Sequence, residues 1–302
     1  MVPLDPVPPG ASRLSLEGAT GPEIRALVSL LGDDDPKIFA MVWDHLLDLG
    51  MSAAGYLRDV SESREPRLRL RARQLLSRIH LDDIGRQLEE LGRLEDSELD
   101  LERGLHLIAR LEHADLPRET IREALDSIAE AIRPRLHPGQ TGLERVRAFN
   151  QVFFDELRFA SNPHELYEFD SILLDRVLAR RSGTPIALAC AYLLVAKRLG
   201  LPFHGIGLPN NVLVRYADEG EEIVVDPYLG GKLLSRKDCL QQMTSSGYYL
   251  PRESHIVETT SRDLLIRTLR HLVVMYAKHS DKTRVQRLTR FVEILNTRER
   301  AR

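Results

Sequence analysis

A cysteine, a histidine and an aspartate follow one another in chain order at Cys190, His204 and Asp226, and a second cysteine stands at Cys239. These are the residue types of nucleophilic acyl chemistry. A thiolate attacks, an imidazole takes and returns the proton, and a carboxylate orients the imidazole. Residue type alone is not enough, because a thiol attacks only where its pKa is depressed, and the element that carries it decides that.

Cys190 lies within "PIALACAYLLVAKRLG", an apolar run bounded by Pro185 and Gly200 that reads as a helix. Pro185 suits the first turn, where a missing N–H costs nothing, and Thr184 suits the N-cap. Cys190 falls beyond the free N–H groups of that turn and among apolar neighbours, so packing is expected of it rather than attack. Cys239, in "RKDCLQQM", has basic neighbours but no histidine near it in sequence, and a structural role is expected there too. His45, His80, His106 and His113 sit on helical segments with neither an i, i+4 metal pairing nor an HExxH pattern, and "LGGK" at 229–232 lacks the pattern of a phosphate loop. No metal and no cofactor are expected. His204 is the histidine of a strand-like run, "FHGIGL", and strand alternation counted on to Asn211 places the two on opposite faces unless a bulge intervenes.

The elements that must position these residues are mostly helical. Residues 1–20, rich in proline and glycine, read as a flexible lead-in. From 21 to 100 the chain carries amphipathic helices: "EIRALVSLL", the breaker "GDDDP", then "KIFAMVWDHLLDLG", with a second breaker and helix at "SREPRLRLRARQLLSRIH". "LDLERGLHLIARLEHADLPRETIREALDSIAEAIRPRL" gives two more helices separated at Leu116-Pro117, and "HPGQTG" (137–142) marks a break before the helix "LERVRAFNQVFFDELRF". After residue 200 the texture changes to short β-rich runs, "FHGIGL", "NVLVRYA" and "EEIVVDPY", an antiparallel meander. Beyond 255 a helical pair returns.

The two breaker-aligned hairpins resemble short HEAT-type repeats, "LLGDDDPKI" being similar to that family's inter-helix turn. "FNQVFFDELRFASN", "LLDRVLARRSGTPIALACAYLLVAKRLGLP", "GIGLPNNVLVRY", "VVDPYLGGKLLS" and "DCL", in this order, resemble the SirB-type branch of the transglutaminase-like family. The resemblance implies an α+β, mostly α fold. It would comprise HEAT-like helical hairpins over 21–100, a transglutaminase-like (papain-like) core with a small antiparallel sheet over 101–254, and tetratricopeptide-like helices over 255–302. It also implies where a catalytic triad would lie. The turn Gly183-Thr184-Pro185 stands where that fold has Gly-x-Cys, and Asn211 stands where the histidine would be, leaving Asp226 of the three. A proline has no thiol, and an amide cannot take a proton near neutral pH.

Composition narrows the partners. Of 302 residues 43 % are hydrophobic, and 42 Lys and Arg nearly balance 45 Asp and Glu, so no global field draws the chain to nucleic acid or anionic lipid. No stretch approaches the roughly 20 apolar residues of a membrane span. Two distant cysteines without CxxC spacing suit a reducing cytoplasm. The expected function is a non-catalytic transglutaminase-like module that binds a protein or peptide, with Asn210, Asn211, Arg215, Asp226 and Tyr228 as the polar lining of its groove. The alternative is a cysteine hydrolase or acyltransferase using Cys190 or Cys239, with His204 as base. A nucleic-acid scaffold would have to use Arg67, Arg69, Arg71 and Arg73 of the 64–78 stretch, whose spacing otherwise reads as a solvated helix face.

Overall fold

The computed structural model describes residues 20–163, 168–218, 220–247, 251–252 and 256–296. Except for Thr20, the expected lead-in lies outside the described residues. The chain divides into two compact units at 87/88.

The first unit is helical: α1 (Gly21–Leu30), α2 (Pro36–Leu49), α3 (Met51–Val60) and the start of α4 (Pro66–Arg93). Its helices begin where capping chemistry allows. Thr20 and Glu23 form a capping box on α1, and the Asp35 carboxylate accepts from Lys37 N at 2.8 Å, with Pro36 filling the first helical position of α2. Val28, Leu31, Val42, Leu46, Leu57 and Leu75 form the buried core. The arginine-rich stretch is spent on this architecture. Arg69 donates to Ser63 O, Arg71 to Leu31 O and Asp33 O, and Arg73 to Ser61 O, while Arg67 pairs with Asp34. These bonds fill carbonyls at the two breakers that the helices leave without partners. α4 runs on to Arg93, past the stretch whose periodicity marks it, and the 87/88 division falls within it.

The second unit has the expected α+β, mostly helical character. α5 (Leu101–Ala109), α6 (Arg118–Ile132), α7 (Gly142–Asn150), α8 (Leu174–Arg180) and α9 (Pro185–Arg198) precede the main sheet. Two short parallel strands, β1 (Ala160–Ser161) and β2 (Ser182–Gly183), pair just before α9. The helix expected over 143–159 is not uniform. After Asn150 it widens into one π turn, Gln151–Glu156, with Leu157 N bonded to Val152 O. The wider turn places Val152, Phe153 and Phe154 inward in succession, which a 3.6-residue period does not do.

β3 (Phe203–Leu208), β4 (Asn211–Asp218), β5 (Glu221–Asp226), β6 (Lys232–Leu234) and β7 (Val257–Thr259) make an antiparallel sheet in the order β6-β5-β4-β3-β7. Phe203, paired with Tyr216 across β3 and β4 and in ring contact with it, also meets the rings of Phe149 and Tyr192, so this face packs on α7 and α9. Ile206, Leu208, Leu213, Val224 and Leu234 face the other way, onto Cys239 and Met243 of α10 (Arg236–Ser245). α11 (Ser261–Lys278) and α12 (Lys282–Asn296) form the closing pair. Arg262, 3 % exposed, fastens that pair by donating to Asp96, to Gly92 O and Leu94 O at the end of α4, and to Leu295 O of α12. Among the described residues no helix is long and apolar enough to cross a membrane.

Candidate functional site

The site begins at the turn before α9. Thr184 is fully buried, its N–H donates to Ser171 O at 2.8 Å, and its hydroxyl accepts from Ala187 N at 3.4 Å. Pro185 brings no N–H to the first turn. Of the first-turn donors, one is absent and another is capped.

The hairpin turn between β3 and β4 comes next. Leu208 pairs with Asn211, and the two residues between them are Pro209, with its fixed φ, and Asn210, whose φ of 58° an asparagine tolerates. The turn sets Asn211 against the end of β5. Asn211 Nδ2 donates to Asp226 Oδ2 at 3.2 Å and to Gln242 Oε1 of α10 at 3.1 Å. Gln242 Nε2 donates to the same Asp226 oxygen at 2.9 Å, while Tyr228 N and Leu229 N donate to the other at 2.9 and 3.2 Å. Asp226 is fully buried, and each of its oxygens accepts two bonds from neutral amides. A buried carboxylate needs such donors, and among the described residues none of them is an imidazole.

Pro185 and Asn211, with Asn210 and Tyr228, line a single cavity of about 480 Å³. Ile186 and Val212 add apolar walls, and α11 contributes Arg267, Arg270 and His271. Arg267 donates through Nη1 to Leu208 O at 2.9 Å and Asn211 O at 3.3 Å, tying α11 to the hairpin turn. It can approach because residue 207 is glycine: a Cβ there would lie 2.5 Å from Arg267 Nη2. Burial pushes the Tyr228 hydroxyl above its ordinary pKa, and the Asp226 charge adds to the shift.

Several residues picked out in the sequence lie elsewhere. Arg215 lies in the middle of β4, ion-paired with Glu222 at 3.2 Å and Glu258 at 2.8 Å, and does not line the cavity. The parity argument for His204 is corrected by the register. His204 pairs with Arg215 and Leu208 with Asn211, so His204 and Asn211 share a face, because each cross-strand pair joins an even-numbered residue to an odd-numbered one. Distance along the strand separates them instead, and His204 is half exposed beside Glu258, its Nδ1 3.1 Å from that carboxylate. Cys190 is fully enclosed, and burial pushes its thiol up to about 12. Cys239 is buried against the sheet, its thiol raised by desolvation and then by neighbouring Asp238. Gln242, Arg267, Arg270 and His271 were not picked out. Arg267, Arg270 and His271 do carry a signal, a basic stripe at i, i+3, i+4 beside the buried apolar face of Leu265, Leu269 and Leu272. Among the described residues no three His, Cys, Asp or Glu side chains gather as metal ligands.

Comparison with known proteins agrees with this geometry. Residues 119–270 match the transglutaminase-like superfamily, a span that runs from α6 into α11 and includes all the residues that line the cavity except His271. A UPF0162 protein of Xylella fastidiosa (strain 9a5c) is 30 % identical over 192 residues, covering 62 % of this chain and 68 % of that protein. A UPF0162 protein of Vibrio cholerae is 31 % identical over 87 residues, 28 % of this chain and 32 % of the relative. Human F-box only protein 21 is 27 % identical over 154 residues, which cover 42 % of this chain but only 24 % of that protein. No solved structure matches the chain. With its helix-start turn and hairpin lining one cavity and the buried aspartate behind Asn211, the chain belongs to the transglutaminase-like superfamily.

Proposed function

We propose that this chain is a non-catalytic transglutaminase-like protein of the SirB-type branch, and that the cavity at the start of α9 binds a protein or peptide segment. One observation carries the reading. The cavity is lined where a nucleophile and base would stand by Pro185 and Asn211, and among the described residues its lining includes no serine, threonine or cysteine. His271 is an imidazole in the lining, but the hydroxyl nearest to hand, Tyr228, has a raised pKa and is a poor nucleophile. A cavity of about 480 Å³ with apolar walls and a few polar groups is of ligand-binding size. HEAT-like hairpins over 21–100 and tetratricopeptide-like helices over 255–302 would add recognition surface, and a cytoplasmic setting suits two free cysteines.

The test is binding without turnover. Peptides selected from a random library on the immobilised chain should be recovered with unchanged mass after prolonged incubation, and alkylation with iodoacetamide at pH 8 should leave binding intact. A cleaved or covalently attached peptide, lost when the protein is alkylated, would overturn the reading in favour of a cysteine hydrolase or acyltransferase.

A further inference from the structure

Two guanidinium groups one helical turn apart, Arg267 and Arg270, form one wall of the cavity. Neither makes an ion pair among the described residues. Arg267 spends its Nη1 on two backbone carbonyls, and Arg270, exposed, has no hydrogen-bond partner among them. Desolvation lowers the pKa of Arg267; Asp263 works against that shift, and the like charge of Arg270 adds to it. The charge is also one-sided. The same two arginines border a smaller cavity of about 260 Å³, and Glu258 and Asp263 line that one, whereas among the described residues no carboxylate lines the larger. Asp226 lies behind Asn211, fully buried with both oxygens occupied, and its single charge is outnumbered by the two arginines.

The type of anion follows from what remains available. Phosphate sites collect free backbone N–H groups at a helix start. Here the start of α9 has lost one to Pro185 and given another to Thr184. An open guanidinium fork matches a planar carboxylate in two parallel hydrogen bonds. We propose, resting on the peptide-binding reading above, that the ligand is acidic: a carboxylate of the bound peptide is received by Arg270 beside Arg267, while an adjoining apolar side chain packs on Ile186 and Val212. That carboxylate belongs either to an Asp or Glu side chain or to the peptide's own C-terminus.

The experiment selects random heptapeptides on the full chain from two libraries, one displayed with free C-termini and one with both ends fused, and repeats both on R270E. The wild type should enrich an acidic residue at one fixed position, or a free terminus after an apolar residue, and R270E should lose that preference or exchange it for Lys and Arg. For a synthetic copy of the enriched peptide, R270E should weaken binding about tenfold or more, the loss of a charge-assisted bond. Among the described residues Arg270 makes no hydrogen bond or ion pair that R270E would break, and an unchanged melting temperature checks that the variant folds. Enrichment from both libraries assigns the carboxylate to a side chain, and enrichment from the free-ended library alone assigns it to the terminus. Binders without an acidic preference, or with one that R270E leaves intact, would overturn the acidic ligand while peptide binding stands. If neither library yields a binder, peptide binding itself fails and the acidic ligand with it.

Discussion

At the scale of single residues, Pro185 and Asn211 are what we propose separates this site from a reactive one. The protein has two thiols, but both are raised by burial, and Cys190 lies in the interior of α9 away from the helix end that could lower it. Pro185 and Asn211 both line the same cavity. A thiol introduced by P185C would sit in the first turn of α9, and an imidazole introduced by N211H would share the cavity with it, with Asp226 behind. The expected outcome is a thiol pKa lower in P185C/N211H than in P185C by about one unit or more, as a neighbouring imidazolium produces. The pH dependence of iodoacetamide labelling measures it, with Cys190 unlabelled throughout as the internal standard for a buried thiol. Equal pKa values in the two variants would show that positions 185 and 211 are not aligned as the cavity implies.

At the scale of elements, what could be read from the chain was whatever depends on local chemistry. "FHGIGL" and "EEIVVD" fall on β3 and β5, because alternation and flanking turn residues are local signals. Helix starts at Pro36, Pro66 and Pro185 were legible for the same reason. The facing of His204 was not, because it depends on the register across the Pro209-Asn210 turn, and counting along one strand carries no information about the partner strand. The roles of Gln242 and Arg267 were equally hidden, since each meets Asn211 only through the packing of α10 and α11. One tie between elements gives the fold a pH dependence. His106 of α5 is buried, and its Nε2 lies 2.8 Å from Leu116 O, just before α6 begins. Burial lowers its pKa from the ordinary 6.5, with the bond to Leu116 opposing the shift. The folded chain thus prefers a neutral ring while the unfolded chain takes up a proton first as pH falls. The stabilisation is complete above pH 6.5 and drains away as pH falls through that value towards the lowered one. Denaturant melts between pH 7.5 and 5 should show wild type losing more stability than His106→Gln, whose amide can donate to Leu116 O without titrating. Parallel losses in the two proteins would mean that the ring is not held neutral.

At the scale of the whole molecule, the division at 87/88 separates two compact units. The first is a helical core whose buried side chains include Leu46 and Leu57, with the chain's one tryptophan, Trp43, packed against it. The described residues that line the cavity all lie between 185 and 271, in the second unit. The first unit's arginines are likewise turned to its own breakers, through Leu31 O, Asp33 O, Ser61 O and Ser63 O, so its basic stretch reads as structural glue within that unit. These facts make one perturbation informative about both cores. Leu46 is fully buried, and truncating it leaves a cavity that costs about 2–5 kcal/mol. In Leu46→Ala the unfolding transition reported by Trp43 fluorescence should fall by that amount, while affinity for a peptide selected on the wild-type cavity should be unchanged under conditions where the variant remains folded. A loss of affinity in step with the loss of stability would show that the first unit takes part in binding, and the ligand site would then have to be redrawn to include residues before 87.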